Sequence, residues 1–304
     1  MRFSRISLLI CCVSLMMFHS CSRCSRTTVM DNFTIDLADL AIDSSYINMA
    51  QTVFYALPTP VEMSMMIKSM ELDYQAALLN DPGHVSKYLS YTKMALNFGV
   101  YTTDLTYAGL FEQSQTVLHY KNAIQQLTES LGLQSAIDVN TLKLLEENIN
   151  DRSAVLRIVS DVYASCMASL TENERYSLTL AMIVGGWVEG MYIASSMVYE
   201  NLLLHEDKMK QLVVNQILTF DMIWQVMSDL KTILPDVAAL MNDLSELAQL
   251  YERISVTQTQ NDVALAHDGK TSQITSSNII HITPEAFAQL KNQILILRQN
   301  ITKI

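Results

Sequence analysis

Apolar residues recur at intervals of three and four along almost the whole chain, from Asn32 to the C-terminal Ile304. This period places apolar side chains on one face of an α-helix and is typical of helices that share a core. Half of the 304 residues are hydrophobic, which is enough for a large core. The pattern therefore predicts an all-α fold, either a multi-helix bundle or an array of helical hairpins.

The last segment of the chain has the strictest spacing. Its apolar positions after Pro284 are Phe287, Leu290, Ile294, Leu297, Ile301 and Ile304. Such a seam packs on a partner helix, either in the same bundle or in a second copy of the chain. Because it spans fewer than three heptads, which is short for a free coiled coil, we expect it to return to its own bundle.

Helix starts are marked by capping sequences. Residues 59–62, TPVE, combine a capping threonine, a proline at the first helical position and a glutamate three residues after the threonine. Residues 171–174, TENE, have the same threonine and glutamate spacing, and Asn140 and Asp151 resemble single N-caps. These signals predict new helices at each of the four places.

One stretch breaks the helical period. Residues 255–282 are rich in serine, threonine, glutamine and asparagine, with short alternating runs on either side of Asp268-Gly269. Asp-Gly is a favoured two-residue hairpin turn. We therefore predict a short polar excursion, with a β-hairpin as one form, inside a single helical domain of residues 32–304.

The N-terminus has the pattern of a bacterial lipoprotein signal. Arg2 and Arg5 precede an apolar run at 6–18, which is shorter than a membrane span, and Ser20 lies directly before Cys21. We predict a signal peptide at 1–20, a lipidated Cys21 and a flexible polar tether at 21–31. Phe18-His19 departs from the usual approach to the cleavage site. The alternatives are an ordinary secreted protein cut nearby and an uncleaved N-terminal anchor.

Charge and cysteine content exclude several kinds of partner. The net charge is −11, and loss of Arg2 and Arg5 with the signal would make it more negative. An acidic chain without a basic cluster argues against binding to nucleic acid and against electrostatic docking on anionic lipid. After Cys21 only Cys24 and Cys166 remain, which gives no disulfide framework. The predicted membrane contact is the acyl group on Cys21.

The most apolar segment contains an acidic residue. Glu189 lies at the centre of 178–198, which makes a membrane span costly and favours a buried helix instead. A carboxylate there must reach solvent, pair with a base or raise its pKa. Asp104, near Tyr101, has a similar setting. One hypothesis places Tyr101, Asp104, Trp187 and Glu189 in one pocket, and the alternative is that local groups satisfy each acid separately.

Small residues in the same segment predict close helix packing. Gly186, Gly190 and Ala194 recur every four residues, so a neighbouring helix can approach this face. Six residues between 95 and 125 also recur 86 positions later, which fits either a duplicated helical hairpin or a chance alignment of two amphipathic helices. The histidines and cysteines have no spacing typical of a metal site, and we predict neither a metal nor a cofactor.

Four segments carry a resemblance to a known group: LPTPVE, SKYLSYTKMALNFGVYTTDL, RIVSDVY and GGWVEGMYIA. With the signal sequence they resemble uncharacterised all-helical lipoproteins of Bacteroidota. The resemblance implies export and lipid anchoring in the outer membrane, and it implies no catalytic motif. Surface-directed lipoproteins of that phylum often carry acids after the lipidated cysteine. Residues 22–25, SRCS, differ from that pattern, which favours an anchor that faces the periplasm.

These observations lead to one main functional hypothesis and two alternatives. The main hypothesis is a lipid-anchored cell-envelope protein that acts as a non-catalytic binding or assembly module with an envelope protein partner. The first alternative is an enzyme or small-ligand binder that uses Asp104 and Glu189. The second is a carrier of apolar ligands between methionine-rich helices. No catalytic residue is assigned.

Overall fold

A computed structural model describes residues 51–304, except 138, 201–205, 259–261, 266–271 and 276–277. The predicted signal peptide, Cys21 and the tether lie outside the described residues. Within them the protein is an all-α bundle, which confirms the predicted fold class. Its helices are α1 (Pro60–Ser69), α2 (Tyr91–Leu110), α3 (Ser114–Ser130), α4 (Val139–Glu147), α5 (Arg152–Glu172), α6 (Tyr176–Glu200), α7 (Glu206–Leu230), α8 (Pro235–Glu252) and α9 (Pro284–Thr302).

Two of the four predicted helix starts are confirmed. The Thr59 hydroxyl accepts from the Glu62 amide, and the Glu62 carboxylate accepts from the Thr59 amide. Asp151 caps α5 by accepting two amide hydrogen bonds. The other two predicted caps are displaced, although new helices do begin nearby: Asn140 is the second residue of α4, and α6 begins at Tyr176, just after the predicted Thr171 box. Thr171 itself lies inside α5, where its hydroxyl donates to the carbonyl of Met167 in the preceding turn.

Helices α2 and α6 form the centre of the bundle and run parallel. Leu96 lies against Gly185 near the start of the contact, and the Tyr107 hydroxyl donates to the sulfur of Met197 near its end. A Cβ on Gly99 would clash with the carbonyl of Met182, and a Cβ on Gly185 would clash with that of Leu96. The two clashes are equivalent under the 86-residue offset, because each glycine faces the carbonyl of a residue just before the other glycine. The close approach therefore requires both glycines.

The predicted small-residue ladder lies on a neighbouring face of α6. A Cβ on Gly190 would lie 2.7 Å from the side chain of Met63 in α1, and one on Gly186 would lie 3.3 Å from the Thr103 hydroxyl oxygen. Ala194 is fully buried. The ladder thus accommodates α1 and a side chain of α2, whereas Gly99 and Gly185 make the closest backbone approach.

The seam of α9 packs inside the bundle. Five of its six apolar positions are buried, whereas Ile304 is exposed, and the helix contacts α2, α6 and α8. Two of the described helices, α5 and α6, are long and apolar enough to span a membrane by length and composition alone. For α6, 89 % of its apolar 18-residue stretch is buried among the other helices, as in the core helix of a bundle.

The predicted polar excursion contains four short strands: β1 (Ser255–Gln258), β2 (Asp262–Leu265), β3 (Ser272–Thr275) and β4 (Asn278–His281). β1 pairs with β4, and β2 pairs with β3, both antiparallel. The inner two strands pair with each other and the outer two pair with each other, as in one long hairpin. The predicted turn at Asp268-Gly269 lies outside the described residues.

Candidate functional site

The parallel packing of α2 and α6 brings two acidic residues together in the core. Asp104 follows the glycine contact on α2, and Glu189 follows it on α6. Both residues have no exposed surface. Their carboxyl groups are near enough for the charge of Glu189 to act on Asp104. We call Asp104 and Glu189 the acid pair.

The charge of Glu189 is balanced by Arg298 of α9. Arg298 Nε donates to Glu189 Oε2 at 3.0 Å, and Arg298 Nη2 donates to Oε1 at 3.2 Å. Such a two-pronged contact fixes both the distance and the orientation of the pair. The guanidinium also lies over the ring of Tyr192, 4.7 Å from its centre. Burial lowers the pKa of Arg298, but the charge of Glu189 and its hydrogen bonds outweigh this and raise it overall.

Asp104 is in the opposite electrostatic situation. Its Oδ2 accepts the backbone N–H of Asn80 at 3.1 Å, and its Oδ1 accepts no hydrogen bond. Burial and the nearby charge of Glu189 raise the pKa of Asp104 well above its usual range, although Arg298 and the Asn80 amide oppose the shift. Two ionised carboxylates beside one guanidinium would leave a buried net charge. A proton on Asp104 would remove that charge.

Residues 75–88 cover the acid pair from one side. This segment, which contains short 3₁₀ turns, contributes the Asn80 amide to Asp104, and the carbonyl of Leu78 accepts from Arg298 at 3.2 Å. Tyrosine hydroxyls fix it further: Tyr120 donates to the Asn80 carbonyl at 2.7 Å, and Tyr101 donates to the Asp81 carbonyl at 2.9 Å. We call residues 75–88 the cover segment.

The tyrosines around the acid pair are held neutral. Burial, together with a hydrogen bond to Tyr88, raises the pKa of Tyr101. Burial and the nearby Asp104 raise that of Tyr120. Burial raises the pKa of Tyr107 to about 12, and its hydroxyl accepts the Gln75 amide at 3.0 Å. These hydroxyl groups act as hydrogen-bonding partners of the cover segment.

The structure brings three of the four predicted pocket residues into one region. Tyr101, Asp104 and Glu189 lie together, although Tyr101 bonds to the cover segment and not to either acid. Trp187 does not belong to this group. Its indole N–H donates to Gln216 of α7 at 2.8 Å, and its ring packs on Phe220. Two residues along a helix turn a side chain by about 200°, so Trp187 and Glu189 face different neighbours.

Several residues of the site had no local sequence signal. Arg298 lies 109 residues after Glu189. Arg298 lies beside the apolar seam of α9. A charged residue next to such a seam was the one sequence signal that could have indicated a buried partner for an acid. Asn80 lies in a turn, and its role depends on a backbone N–H that any residue except proline supplies.

The arrangement is sealed. The acids have no exposed surface, and the Arg298 side chain is 14 % exposed. Among the described residues, no group of three or more histidine, cysteine, aspartate or glutamate side chains is placed to hold a metal ion. A substrate could reach the carboxyl groups only after the cover segment or α9 had moved. The geometry therefore suits a buried structural contact that holds segments of the chain together better than an open reaction centre.

Comparisons with models of protein families, with curated proteins and with solved structures give no match to this chain.

Proposed function

We propose that this protein is a non-catalytic binding or assembly module of the cell envelope, tethered to the outer membrane through a lipidated Cys21. The observation that carries the proposal is the closure of the acid pair. Asp104 and Glu189, the acids that converge in the described core, lie beside Arg298 and are covered by residues 75–88. Such a site fixes three distant segments to each other and leaves recognition to the outer surface.

Catalysis at this position would need a different arrangement. A general acid or base must lie within hydrogen-bonding reach of its substrate, and a binding pocket is normally open before the substrate enters. Asp104 and Glu189 instead spend their hydrogen bonds on the chain itself. The expectation of an enzyme or ligand binder built on these two acids is therefore the less favoured alternative.

The proposal is tested by photo-crosslinking in the native host. A photoreactive residue replaces either Leu89 or Leu218, whose side chains are 86 % and 69 % exposed and which lie on different elements. We expect a discrete protein adduct from at least one position. The adduct should be reduced when Cys21→Ala removes the tether, because the protein then loses its membrane location.

The matched control is a photoreactive residue at Leu105, which is buried and should give no intermolecular adduct. Absence of any discrete adduct at both exposed positions would contradict the binding proposal. Adduct formation that is unchanged by Cys21→Ala would contradict the tether while leaving the binding role in place.

A further inference from the structure

The cover segment is held in place more by hydrogen bonds than by packing. Asn80 and Tyr88 are its buried residues, and its regular structure consists of two short 3₁₀ helices. In contrast, α2 and α6 are in backbone contact at Gly99 and Gly185, and α9 has buried apolar side chains along its length. Segments with few buried side chains open at a lower free energy than a packed core. The cover segment is therefore the element around the acid pair that can move most readily.

The charged groups of the site take part in holding the cover segment. Asp104 Oδ2 accepts the backbone N–H of Asn80, and Arg298 Nη2 donates to the carbonyl of Leu78. The same guanidinium pairs with both carboxylate oxygens of Glu189. A change in the charge of the acid pair therefore acts directly on contacts that keep the cover segment closed.

The site contains two acids and one close cation. Arg298 pairs with Glu189, and Asp104 Oδ1 has no hydrogen-bond partner in the described part of the chain. With a proton on Asp104 the three side chains are neutral together. Loss of that proton leaves a buried negative charge, which is costly unless water reaches it. The Asn80 N–H would bond an ionised Asp104 more strongly, but burial and the charge of Glu189 outweigh it and raise the pKa of Asp104.

We propose that the cover segment is a pH-dependent lid, whose opening is coupled to release of the proton from Asp104. The closed form holds this proton more tightly than an open form in which water solvates the carboxylate. A rise in pH therefore favours opening. The opening would expose both acids to solvent. This inference goes beyond the proposed binding role and does not depend on the tether or on a partner protein.

Other titratable groups lie near Asp104 or on the cover segment. Those around Asp104 are tyrosines whose pKa is raised by burial, so that they stay neutral: Tyr74, Tyr101, Tyr120 and Tyr192. On the cover segment, His84 lies 3.7 Å from Asp81, and the Gln75 side chain donates to Glu200 at 2.7 Å. Histidine side chains commonly change their charge near neutral pH. His84 is therefore the group for which the test needs a control.

The test is hydrogen–deuterium exchange of the full chain in detergent from about pH 5 to about pH 9, which covers the known pKa values of buried carboxyl groups. The rates are corrected for the intrinsic effect of pH on exchange. Protection of the amides in residues 75–88 should then fall by up to about tenfold per pH unit, because opening releases one proton. These amides should exchange faster than those of 178–198 in α6 and should respond little to dilute urea, since a local opening exposes little surface.

Three variants assign the effect to its group. Asp104→Asn keeps the shape and an acceptor for the Asn80 amide but cannot ionise, so the cover segment should lose most of this pH dependence. Glu189→Gln removes the second carboxylate, and the fall in protection should end at a lower pH. His84→Gln is the matched control, because it removes the histidine of the cover segment and should leave the fall unchanged.

Three results would overturn the proposal. They are an equal fall in Asp104→Asn and the native chain, loss of the fall in His84→Gln, and equal protection of the cover segment and α6 in the native chain. The last result would mean that the cover segment opens only when the whole domain unfolds. Glu189→Gln keeps the test valid if Asp104→Asn does not fold, because an unchanged pH range in that variant would also contradict the coupling.

Discussion

Arg298→Met is the most severe test of the claim that the buried contact at the acid pair stabilises the fold. The substitution keeps an apolar side chain of similar length and removes the cation that balances the fully buried Glu189. Loss of one partner of a buried ion pair costs about 3–5 kcal/mol. The bond from Arg298 to the Leu78 carbonyl is lost as well, so we expect the upper half of this range. For a domain of this size, the melting temperature should fall by about 8–20 °C, measured by circular dichroism.

The control is Arg157→Met, which breaks an ion pair with Asp161 whose side chains are 68 % and 65 % exposed. We expect less than about 1 kcal/mol there, since exposed pairs contribute little. The double variant Arg298→Met with Glu189→Gln should be more stable than Arg298→Met alone, because it no longer buries an unpaired carboxylate. Strict additivity of the two changes, or equal effects of Arg298→Met and Arg157→Met, would refute the reasoning.

Three further predictions concern other parts of the chain. The folded-state pKa of Asp104 lies above the unfolded value of 3.8, so the folded protein holds this proton more tightly. The free energy of unfolding should therefore fall as the pH rises from about 4 toward the folded-state pKa. Asp104→Asn should reduce this pH dependence when the free energy of unfolding is measured by urea titration at several pH values. An unchanged pH dependence would exclude a raised pKa at Asp104. Gly99→Ala and Gly185→Ala should each destabilise the protein by about 3 kcal/mol, the upper end of the usual cost of overpacking, because the added Cβ would clash with backbone atoms. Gly83→Ala, whose nearest neighbour is an exposed side chain, should have a small effect on the melting temperature. Similar effects at all three positions would contradict the close approach of α2 and α6. Cys21→Ala should abolish acyl labelling in cells, and persistent labelling would rule out this residue as the anchor.

Sequence reasoning predicted the helices well where the signals were local. The capping box at Thr59 and the apolar seam of α9 depend on residues three or four positions apart, which helix geometry brings together directly. The Thr171 box failed for a physical reason. Its hydroxyl satisfies the preceding turn of α5, and the helix continues past it to Glu172.

The acid pair could be predicted only in part. An acidic residue in an apolar helix requires a partner or a raised pKa; Glu189 has the partner, and Asp104 has the raised pKa. The identity of the partner, Arg298, depends on how the last helix packs, which no local pattern encodes. The exclusion of Trp187, in contrast, follows from helix geometry, since its two-residue offset from Glu189 already places it on another face.

The most direct test of the central claim compares crosslinking in cells between the native chain and Glu189→Gln. If the acid pair has only a structural role and the protein acts by binding, the partner adduct should persist in Glu189→Gln at a temperature where the variant is folded. It should still depend on Cys21. Loss of the adduct in a folded Glu189→Gln variant would show that the carboxylate takes part in the function itself, and would contradict the account.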